Sequence, residues 1–277
     1  MRPLYSVLIP WADRPVLEQT LVANASFFTR HGVEVIVVNA GGDRDALVAL
    51  IERAAVPNVR AVDLPGVDFS RQLCLNIGAL ESRSDFLFML DADIGLRSDV
   101  FAQALEHLRT GTRFVAVQRI YESDPGHAIF ENRLDLTFLA NVITTQEIVT
   151  HDGRRAVTCN DIVPGLSNAG DGIVLLTRDA MVRAGGLNSD LLGYGNEDTD
   201  FQIRLQLHLG LERVGLGEVV HYTHDASRVD RVSWRRNYRA SIENYRCGHY
   251  LGTLEQDGTA WNDCLVRLPV VQPSVSA

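Results

Sequence analysis

Three shortages in the sequence exclude whole classes of protein. Basic residues are outnumbered by acidic ones, 26 to 35, and the formal net charge is −9. Nucleic-acid binders carry basic faces, so nucleic acid is disfavoured as a partner. Cysteines number only four in 277 residues, widely spaced and without a Cys-x-x-Cys pair. This spacing argues against a disulfide framework or a metal cluster and favours free thiols in a reducing compartment.

Long apolar runs are also missing. No stretch approaches the roughly 20 residues that a membrane-spanning helix needs. The N-terminal segment MRPLYSVLIPW has a short apolar stretch but no small-residue cleavage site after it, so we expect no secretory leader. The 46% of hydrophobic residues suffice for one sizeable core. We therefore expect a soluble cytoplasmic protein without a membrane anchor.

The first 125 residues alternate between short apolar runs and segments of helical periodicity. Strands separated by helices of about 10 to 15 residues are typical of βαβ units and a mainly parallel sheet. Strands that are apolar throughout are expected when helices cover both faces of the sheet. The pattern predicts an α/β protein that binds its ligand beyond the carboxyl ends of the strands. The predicted strands are 5–10, 33–42, 59–65, 85–93 and 114–121.

The second half of the chain is less regular. We predict mostly helix over 127–149 and turn-rich loops over 151–172, whose glycines, Gly172 among them, would let backbone approach a ligand closely. A strand leading into a helix, a charged turn opening a helix, and a further strand follow over 172–225. We expect one domain over 1–277, divided into a nucleotide-sugar half, an acceptor and metal half, and a C-terminal helical extension, with bounds 1–125, 126–225 and 226–277.

Asp91 and Asp93 directly follow five apolar residues, Phe86 to Leu90. An Asp-x-Asp at a strand end can direct its carboxylates at one divalent cation. Mg²⁺ and Mn²⁺ prefer oxygen ligands and bind through one or two carboxylates together with substrate phosphates. Such a metal stabilises the negative charge of a departing phosphate. An acidic pair in a solvated turn is the alternative interpretation.

A second acidic cluster lies in GYGNEDTDFQIRL, residues 193–205. Carboxylates favour a helix N-terminus, so Glu197, Asp198 and Asp200 can be read simply as capping residues. Three acids within four residues nevertheless repel one another, and fewer would suffice for capping. A cluster of this kind can hold a catalytic base and position a polar acceptor.

Histidines and an arginine complete the candidate site. His221 and His224, in HYTHD, follow an apolar strand and could supply a neutral nitrogen to the same metal. Arg71, near a helix start in DFSRQLCLNIG, could contact a phosphate. Each also has an ordinary interpretation, as a hydrogen-bonded or surface side chain.

Together, these motifs resemble a metal-dependent glycosyltransferase of the GT-A fold. More narrowly, they are similar to the β-1,4-galactosyltransferase group and the related family-2 polysaccharide synthase domains, such as chondroitin polymerase. The resemblance covers roughly residues 4–225. The matching motifs are VLIPWADRP at Pro10, Trp11 and Arg14; FSRQLCLNIGA at Phe69, Arg71, Asn76 and Gly78; Asp91-Ala92-Asp93; and the acceptor segment from Tyr194 to Asp200.

The resemblance implies a role for each matching residue. Asp198 would be the general base, and Glu197 would hold the acceptor sugar. Asp93 would bind Mn²⁺ or Mg²⁺ with His221 or His224, while Asp91 would lie nearer the ribose or outside the inner metal shell. The acceptor site would comprise Tyr194, Gly195, Glu197 and Asp198. The donor site, for a UDP-sugar, would comprise Pro10, Trp11, Arg14, Asn39, Phe69, Arg71, Asn76, Asp91, Ala92, Asp93 and Gly172.

The implied activity is an inverting transfer of a sugar from a nucleotide sugar to an acceptor hydroxyl or other nucleophile. The acceptor could be a saccharide, a peptide or a small molecule. Asn39 stands where family-2 members usually have an acidic residue that reads the base. Two alternatives are a nucleotidyltransferase that makes a nucleotide sugar and a non-catalytic sugar- or metal-binding module. Product formation from a nucleotide sugar distinguishes all three.

Beyond the resemblance, residues 232–250 place aromatic side chains at helical spacing with arginines between them. A C-terminal helix packing an aromatic stripe on the core is one interpretation. Contact with an acceptor, with a partner protein or with a lipid surface is the other, so peripheral membrane contact stays open.

Overall fold

The structure is a computed structural model and describes residues 2–124, 142–162, 167–224 and 231–269. Strands and helices alternate through the first 125 residues, as the periodicity predicts. The strands are β1 (Tyr5–Trp11), β2 (Glu34–Ala40), β3 (Val59–Leu64), β4 (Phe86–Met89), β5 (Ile94–Leu96), β6 (Arg113–Glu122), β7 (Val142–Val149), β8 (Arg155–Ile162), β9 (Ser167–Thr177), β10 (Glu212–His221) and β11 (Val266–Leu268).

Some of the helices begin where a side chain caps the first turn. The Asp43 carboxylate accepts hydrogen bonds from two backbone amides of the second helix, and the Ser70 hydroxyl accepts one from the third. The helices are α1 (Leu17–Arg30), α2 (Arg44–Ala54), α3 (Arg71–Glu81), α4 (Val100–Arg109), α5 (Arg178–Arg183), α6 (Glu197–Leu207), α7 (Arg231–Arg246) and α8 (Leu254–Trp261).

Nine of these strands form one sheet in the order β11-β3-β2-β1-β4-β9-β6-β10-β5. β1, β2, β3, β4, β6 and β10 run in one direction, while β9, β5 and β11 oppose their neighbours. The sheet is therefore mixed and mainly parallel, which confirms the predicted fold class. The carboxyl ends of β1, β2, β4, β6 and β10 share one edge, where the predicted site residues lie.

Helices cover both faces of the sheet, so its central strands are apolar on both sides. On one face, Tyr5, Val7 and Ile9 pack against α1, α2 and α4. On the other, Leu8 packs against side chains from α3, α5, α6 and α8. This three-layer packing fixes the strand ends relative to one another and holds the loops at the carboxyl edge.

Residues 142–149 were expected to be helical, and this prediction is wrong. They form β7, which pairs antiparallel with β8 from Val142–Ile162 to Val149–Arg155. The loops expected over 151–172 are wrong as well, since β8 and β9 occupy most of that range. The segment is rich in β-branched residues, which favour strands once a partner strand is available. The remainder of the predicted helix, 125–141, lies outside the described residues.

The C-terminal extension is not entirely helical. After α7 and α8, β11 returns to the sheet and pairs antiparallel with β3, with Arg267 opposite Val62. Within the described ranges, no helix combines the length and the apolar composition needed to cross a bilayer.

Candidate functional site

The Asp-x-Asp motif lies between β4 and β5, at the carboxyl edge of the sheet. Asp91 pairs with the Arg71 guanidinium, whose Nε lies 2.8 Å from Asp91 Oδ1. Arg71 Nη2 also donates to the backbone oxygen of Gly172, at 2.6 Å. Burial raises the pKa of Asp91, and Arg71 opposes this effect. The arginine therefore links α3, the Asp-x-Asp turn and β9 in one polar cluster.

Asp93 lies with both histidines rather than with one. His224 Nε2 is 3.0 Å and His221 Nε2 is 3.6 Å from Asp93 Oδ2. The ligand atoms of all three residues lie within 4.8 Å of one another. Burial opposes the charge of His221, but hydrogen bonds to Asp93 and Glu122 more than offset it and raise its pKa to about 10. Those histidine contacts also outweigh burial at Asp93 and hold its pKa well below the usual range.

Glu122, at the end of β6, is a residue that sequence reasoning missed. Its Oε2 lies 2.8 Å from His221 Nδ1, and it also accepts a hydrogen bond from the Thr223 hydroxyl at 3.1 Å. Because Nδ1 faces Glu122, Nε2 of His221 is turned toward Asp93. The available signal was an acidic residue at the end of an apolar strand, the same signal that marked Asp91 and Asp93.

The donor set fits a divalent transition metal. One carboxylate and two imidazoles converge, and one imidazole is oriented by a second carboxylate, an arrangement common at metal sites in proteins. Imidazole nitrogen suits transition metals better than Mg²⁺, which prefers oxygen ligands throughout. Mn²⁺ accepts both kinds of ligand. Asp91, paired with Arg71, lies outside this group of three.

The second acidic cluster opens α6. Glu197, Asp198 and Asp200 all lie in its first turn. Asp200 faces the interior, where it pairs with Arg204 at 2.8 Å and accepts a hydrogen bond from the Tyr245 hydroxyl, also at 2.8 Å. It therefore holds α6 and α7 together. The other two carboxylates remain available for the site.

Glu197 and Asp198 lie close to the Arg71 cluster. A Cβ at Gly172 would be 3.2 Å from Arg71 Nη2 and 3.4 Å from Asp198 Oδ2, so only glycine fits between them without displacement. Glu197 Oε2 is buried without a hydrogen-bond partner among the described residues. Burial first, and then the charge of Asp198, raise the pKa of Glu197 to about 7. An acceptor hydroxyl would satisfy this oxygen.

The raised pKa of Glu197 predicts a pH-dependent stability. Between the unfolded pKa of 4.5 and about 7, the folded chain keeps a proton that the unfolded chain has released. The free energy of unfolding should therefore fall as pH rises through this window. Glu197→Gln removes this contribution, so the variant should gain stability relative to the wild type from about pH 4.5 to pH 7. Urea unfolding across this range in EDTA measures the difference.

Glu52→Gln, the same substitution at an exposed position on α2, is the matched control. A Glu197→Gln curve parallel to the wild-type curve at every pH would show that Glu197 titrates normally in the folded chain.

An open cleft of about 650 Å³ lies at the ends of β2 and β3, and the loop that follows the predicted donor residue Asn39 lines it. Asn39 is buried, and its amide donates to Asp63 Oδ1 at 2.7 Å and to the Gly42 oxygen at 2.8 Å. Asp63 lines the cleft and was not predicted; its only sequence signal was a carboxylate within an apolar strand. Phe69 directly follows Asp68, which lines the cleft, and its side chain is half exposed.

Two predicted donor residues lie elsewhere than expected. Trp11 is 2% exposed, and its Nε1 donates to the backbone oxygen of Arg14 at 2.8 Å, so its ring orders the loop instead of facing a ligand. Asn76 is fully buried, with its amide donating to Leu187 O at 2.9 Å and to Asp257 Oδ2 at 2.6 Å. The Trp11 and Asn76 side chains therefore belong to the interior, and a contact of either residue with the donor stays a prediction. Asn76 joins α3 to α8.

Pro10 and Ala92 are also buried, and Arg14 is partly exposed. The Ala92 oxygen accepts a hydrogen bond from the Thr20 hydroxyl at 2.8 Å, which fixes the Asp-x-Asp turn against α1. The Ala92 backbone therefore holds Asp91 and Asp93 in position, while its methyl side chain has no polar atom that could contact a ligand.

The acceptor segment is a glycine-rich turn against α7. Gly193 and Gly195 have φ values of 77° and 91°, which favour glycine. Tyr194, between them, is partly exposed, and burial followed by the charges of Asp198 and Glu197 raises its pKa. Its hydroxyl therefore shares the electrostatic field of the acidic cluster.

Several solved structures share this fold at low sequence identity. The mannosyltransferase PcManGT from Pyrobaculum calidifontis, in complex with GDP-Man and Mn²⁺, is 14% identical with a TM-score of 0.54, over 95% of this chain and 76% of its own. S. aureus TarS 1-349 in complex with UDP is 11% identical with a TM-score of 0.52, over 86% of this chain and 63% of its own. A mycobacterial protein is 18% identical with a TM-score of 0.51, over 89% of this chain and 75% of its own.

No curated protein matches the sequence closely enough to add to these structures. The family described as glycosyltransferase like family 2 matches residues 6–225. The matched range includes the Asp-x-Asp turn, the start of α6 and the two histidines at the end of β10. The chain therefore belongs to the glycosyltransferase-like family 2, and its fold is that of a GT-A glycosyltransferase.

Proposed function

We propose that this glycosyltransferase moves a sugar from a nucleoside-diphosphate sugar to an acceptor hydroxyl, depends on Mn²⁺ and inverts the anomeric centre. One observation carries the proposal: the metal-ligand group of Asp93, His221 and His224 lies at the same sheet edge as Arg71 and the Glu197–Asp198 pair. This proximity supports a diphosphate-binding region next to the carboxylates that would hold the acceptor and act as its general base.

These two regions divide the chemistry of an inverting displacement. Glu197 holds the acceptor, and Asp198 takes the proton of the acceptor hydroxyl that reacts. The hydroxyl oxygen forms a bond to the anomeric carbon as the bond from that carbon to the diphosphate oxygen breaks. The Arg71 guanidinium stabilises the negative charge of the departing diphosphate. A bound Mn²⁺ would add to this stabilisation as a Lewis acid.

Asp93, His221 and His224 would hold the metal, with Glu122 fixing the orientation of His221. Asp91 would stay with Arg71, on the ribose and diphosphate side. Both histidines are included because the Nε2 atoms of both lie within 3.6 Å of Asp93 Oδ2. The donor atoms of these three residues lie within 4.8 Å of one another, which supports this proposed set of metal ligands.

For the base we propose uracil, bound in the cleft beside Asn39 and Asp63. The buried Asn39 amide donates to Asp63 Oδ1, so it holds in place a carboxylate that lines the cleft. UDP and UDP-GlcNAc occur in structures of TarS, whereas GDP-Man occurs in PcManGT. A comparison of nucleotides therefore identifies the nucleobase that the cleft binds.

Thermal unfolding with Mn²⁺ and one nucleotide at a time tests the donor site. UDP, GDP, ADP and dTDP are compared, each with and without EDTA. A ligand present at about 100 times its Kd stabilises the folded chain by about 2.7 kcal/mol, which raises the midpoint measurably. We expect the largest rise with UDP and Mn²⁺, and none in EDTA.

A larger rise with another nucleotide would still support a glycosyltransferase but would contradict uracil as the nucleobase of the donor. No metal-dependent rise with any nucleotide would contradict the donor site. A follow-up with the matching UDP-sugars, read by release of UDP and by NMR of the anomeric product, tests transfer and inversion directly.

A further inference from the structure

The helix α7 lies beyond the family match, which ends at residue 225, yet it packs directly on the acceptor turn. Asn237 Nδ2 donates to the Gly195 oxygen at 3.0 Å and to the Leu192 oxygen at 3.2 Å. From the turn, Asn196 Nδ2 donates to the Ser241 hydroxyl at 3.0 Å. These bonds join the two elements through buried side chains, so α7 is part of the wall of the acceptor site.

The Trp234 side chain of α7 lies directly against the backbone of the turn at Gly195. A Cβ at position 195 would lie 2.5 Å from Trp234 Cδ1, so the indole rests on the bare backbone of Gly195. Glu197 is only two residues further along the chain, so its Cα is at most about 7 Å from that of Gly195. The indole is therefore within the reach of a short oligosaccharide whose end sits at Glu197.

The ring of Tyr238, one helical turn further along α7, stacks on Trp234. The two ring planes differ by 9° and their centroids are 5.6 Å apart. Both side chains are partly exposed, at 44% and 42%. We define these two residues as the aromatic platform. The parallel stacking holds both rings in place, so a ligand that packs on the exposed part of either ring costs little side-chain entropy.

The chemistry of the platform suits a sugar ring. The electron-rich face of an aromatic ring attracts partial positive charge, which the axial C–H groups of a pyranose present on one face. Ligand sites in general combine aromatic walls with few oriented polar groups. Here the polar groups are Glu197 and Asp198, next to the turn that carries the partly exposed Tyr194.

We propose that the aromatic platform of Trp234 and Tyr238 binds a pyranose ring of the acceptor, so that the acceptor is a saccharide. The proposal rests on the proposed transferase function, because it takes Glu197 and Asp198 as the place where the acceptor hydroxyl reacts. Among the acceptor classes that the sequence left open, it selects carbohydrate over peptide. A lipid surface is disfavoured because both rings rest on protein and expose less than half of their area.

Saturation-transfer NMR tests the platform without requiring turnover. Glucose, galactose, N-acetylglucosamine, cellobiose, lactose and chitobiose are offered to the intact chain, alone and with UDP and Mn²⁺. We expect saturation to reach at least one of these sugars. Trp234→Ala should weaken its binding by about tenfold, which corresponds to about 1.4 kcal/mol.

Further variants separate a stacking surface from a merely structural residue. Trp234→Phe keeps a ring face and should retain most of the binding. Tyr238→Ala tests the platform without touching Gly195, in case loss of the indole disturbs the turn. Val232→Ala is the control, because Val232 is exposed on the same helix but two residues from Trp234 and thus on another side of it. The midpoint of thermal unfolding reports whether each variant is folded.

Three results would overturn the proposal: no sugar binds to the wild type, the sugar binds Trp234→Ala and Tyr238→Ala as well as the wild type, or anionic vesicles bind through Trp234 while the sugars do not. These outcomes differ from failure of the proposed function. That failure would appear as no metal-dependent nucleotide shift in the wild type, whether or not a sugar binds to the platform.

Discussion

Asp198→Asn is expected to lower kcat by about 10²- to 10⁴-fold, the usual contribution of a general base. Asparagine keeps the size of the side chain and its hydrogen-bonding oxygen, which accepts from the Thr199 amide at 2.6 Å in the wild type. It cannot take the proton of the acceptor hydroxyl. Because the change affects the reacting step, kcat should fall much more than KM for the donor changes.

The measurement is steady-state transfer from the donor identified by the nucleotide screen, together with the nucleotide-dependent rise in the unfolding midpoint. That rise should persist in Asp198→Asn, because Arg71 and the metal ligands are intact. Asp179→Asn is the matched control: its carboxylate is exposed on α5, where it pairs with Arg183 at the surface. Loss of the nucleotide effect in Asp198→Asn would assign Asp198 to donor binding, and an unchanged kcat would place the base elsewhere.

Asp93→Asn should weaken Mn²⁺ binding by more than about 100-fold, beyond the 10- to 100-fold typical of residues that only orient a ligand. The amide carries no charge, and the two histidines alone are a poorer set for Mn²⁺. Electron paramagnetic resonance of free Mn²⁺ measures the affinity without substrate, so the readout does not depend on activity. Transfer should fall in parallel.

Glu122→Gln tests whether Glu122 affects metal binding indirectly, by orienting the proposed ligand His221. It should weaken Mn²⁺ binding by about 10- to 100-fold, less than Asp93→Asn, because His221 loses only its orienting carboxylate. Glu212→Gln is the control, since Glu212 begins the strand that ends at His221 and pairs with Arg113 at the surface. If Glu122→Gln and Glu212→Gln bound Mn²⁺ equally well, Glu122 would have no role in the metal site.

The local patterns of the sequence predicted the fold well where each element carried its own signal. The strand before Asp91 is a run of apolar residues, and α6 begins at the acidic turn that was expected to open a helix. The same reasoning failed over 142–149, where β-branched residues also fit a helical spacing. What decided that segment is its pairing with β8, a contact between strands that no local pattern records.

The candidate site divides in the same way. Acidic residues at strand ends and helix starts marked Asp93, Glu197 and Asp198, because charges at those places are conspicuous in the sequence alone. Their partners were not marked: His221 meets Glu122 across 99 positions, and Asn76 meets Asp257 across 181. Whether a polar residue faces the site or the interior depends on which distant side chain satisfies its hydrogen bonds.

The sequence by itself determined the alternation of strands and helices, the edge of the sheet that carries the site, and the chemical types of its residues. Each of these follows from periodicity and from the position of charges along the chain. Only the tertiary structure decided that both histidines reach Asp93, that Trp11 and Asn76 are interior, and that Trp234 rests on Gly195. Those facts depend on packing between segments far apart in the chain, which the order of residues constrains only through the complete fold.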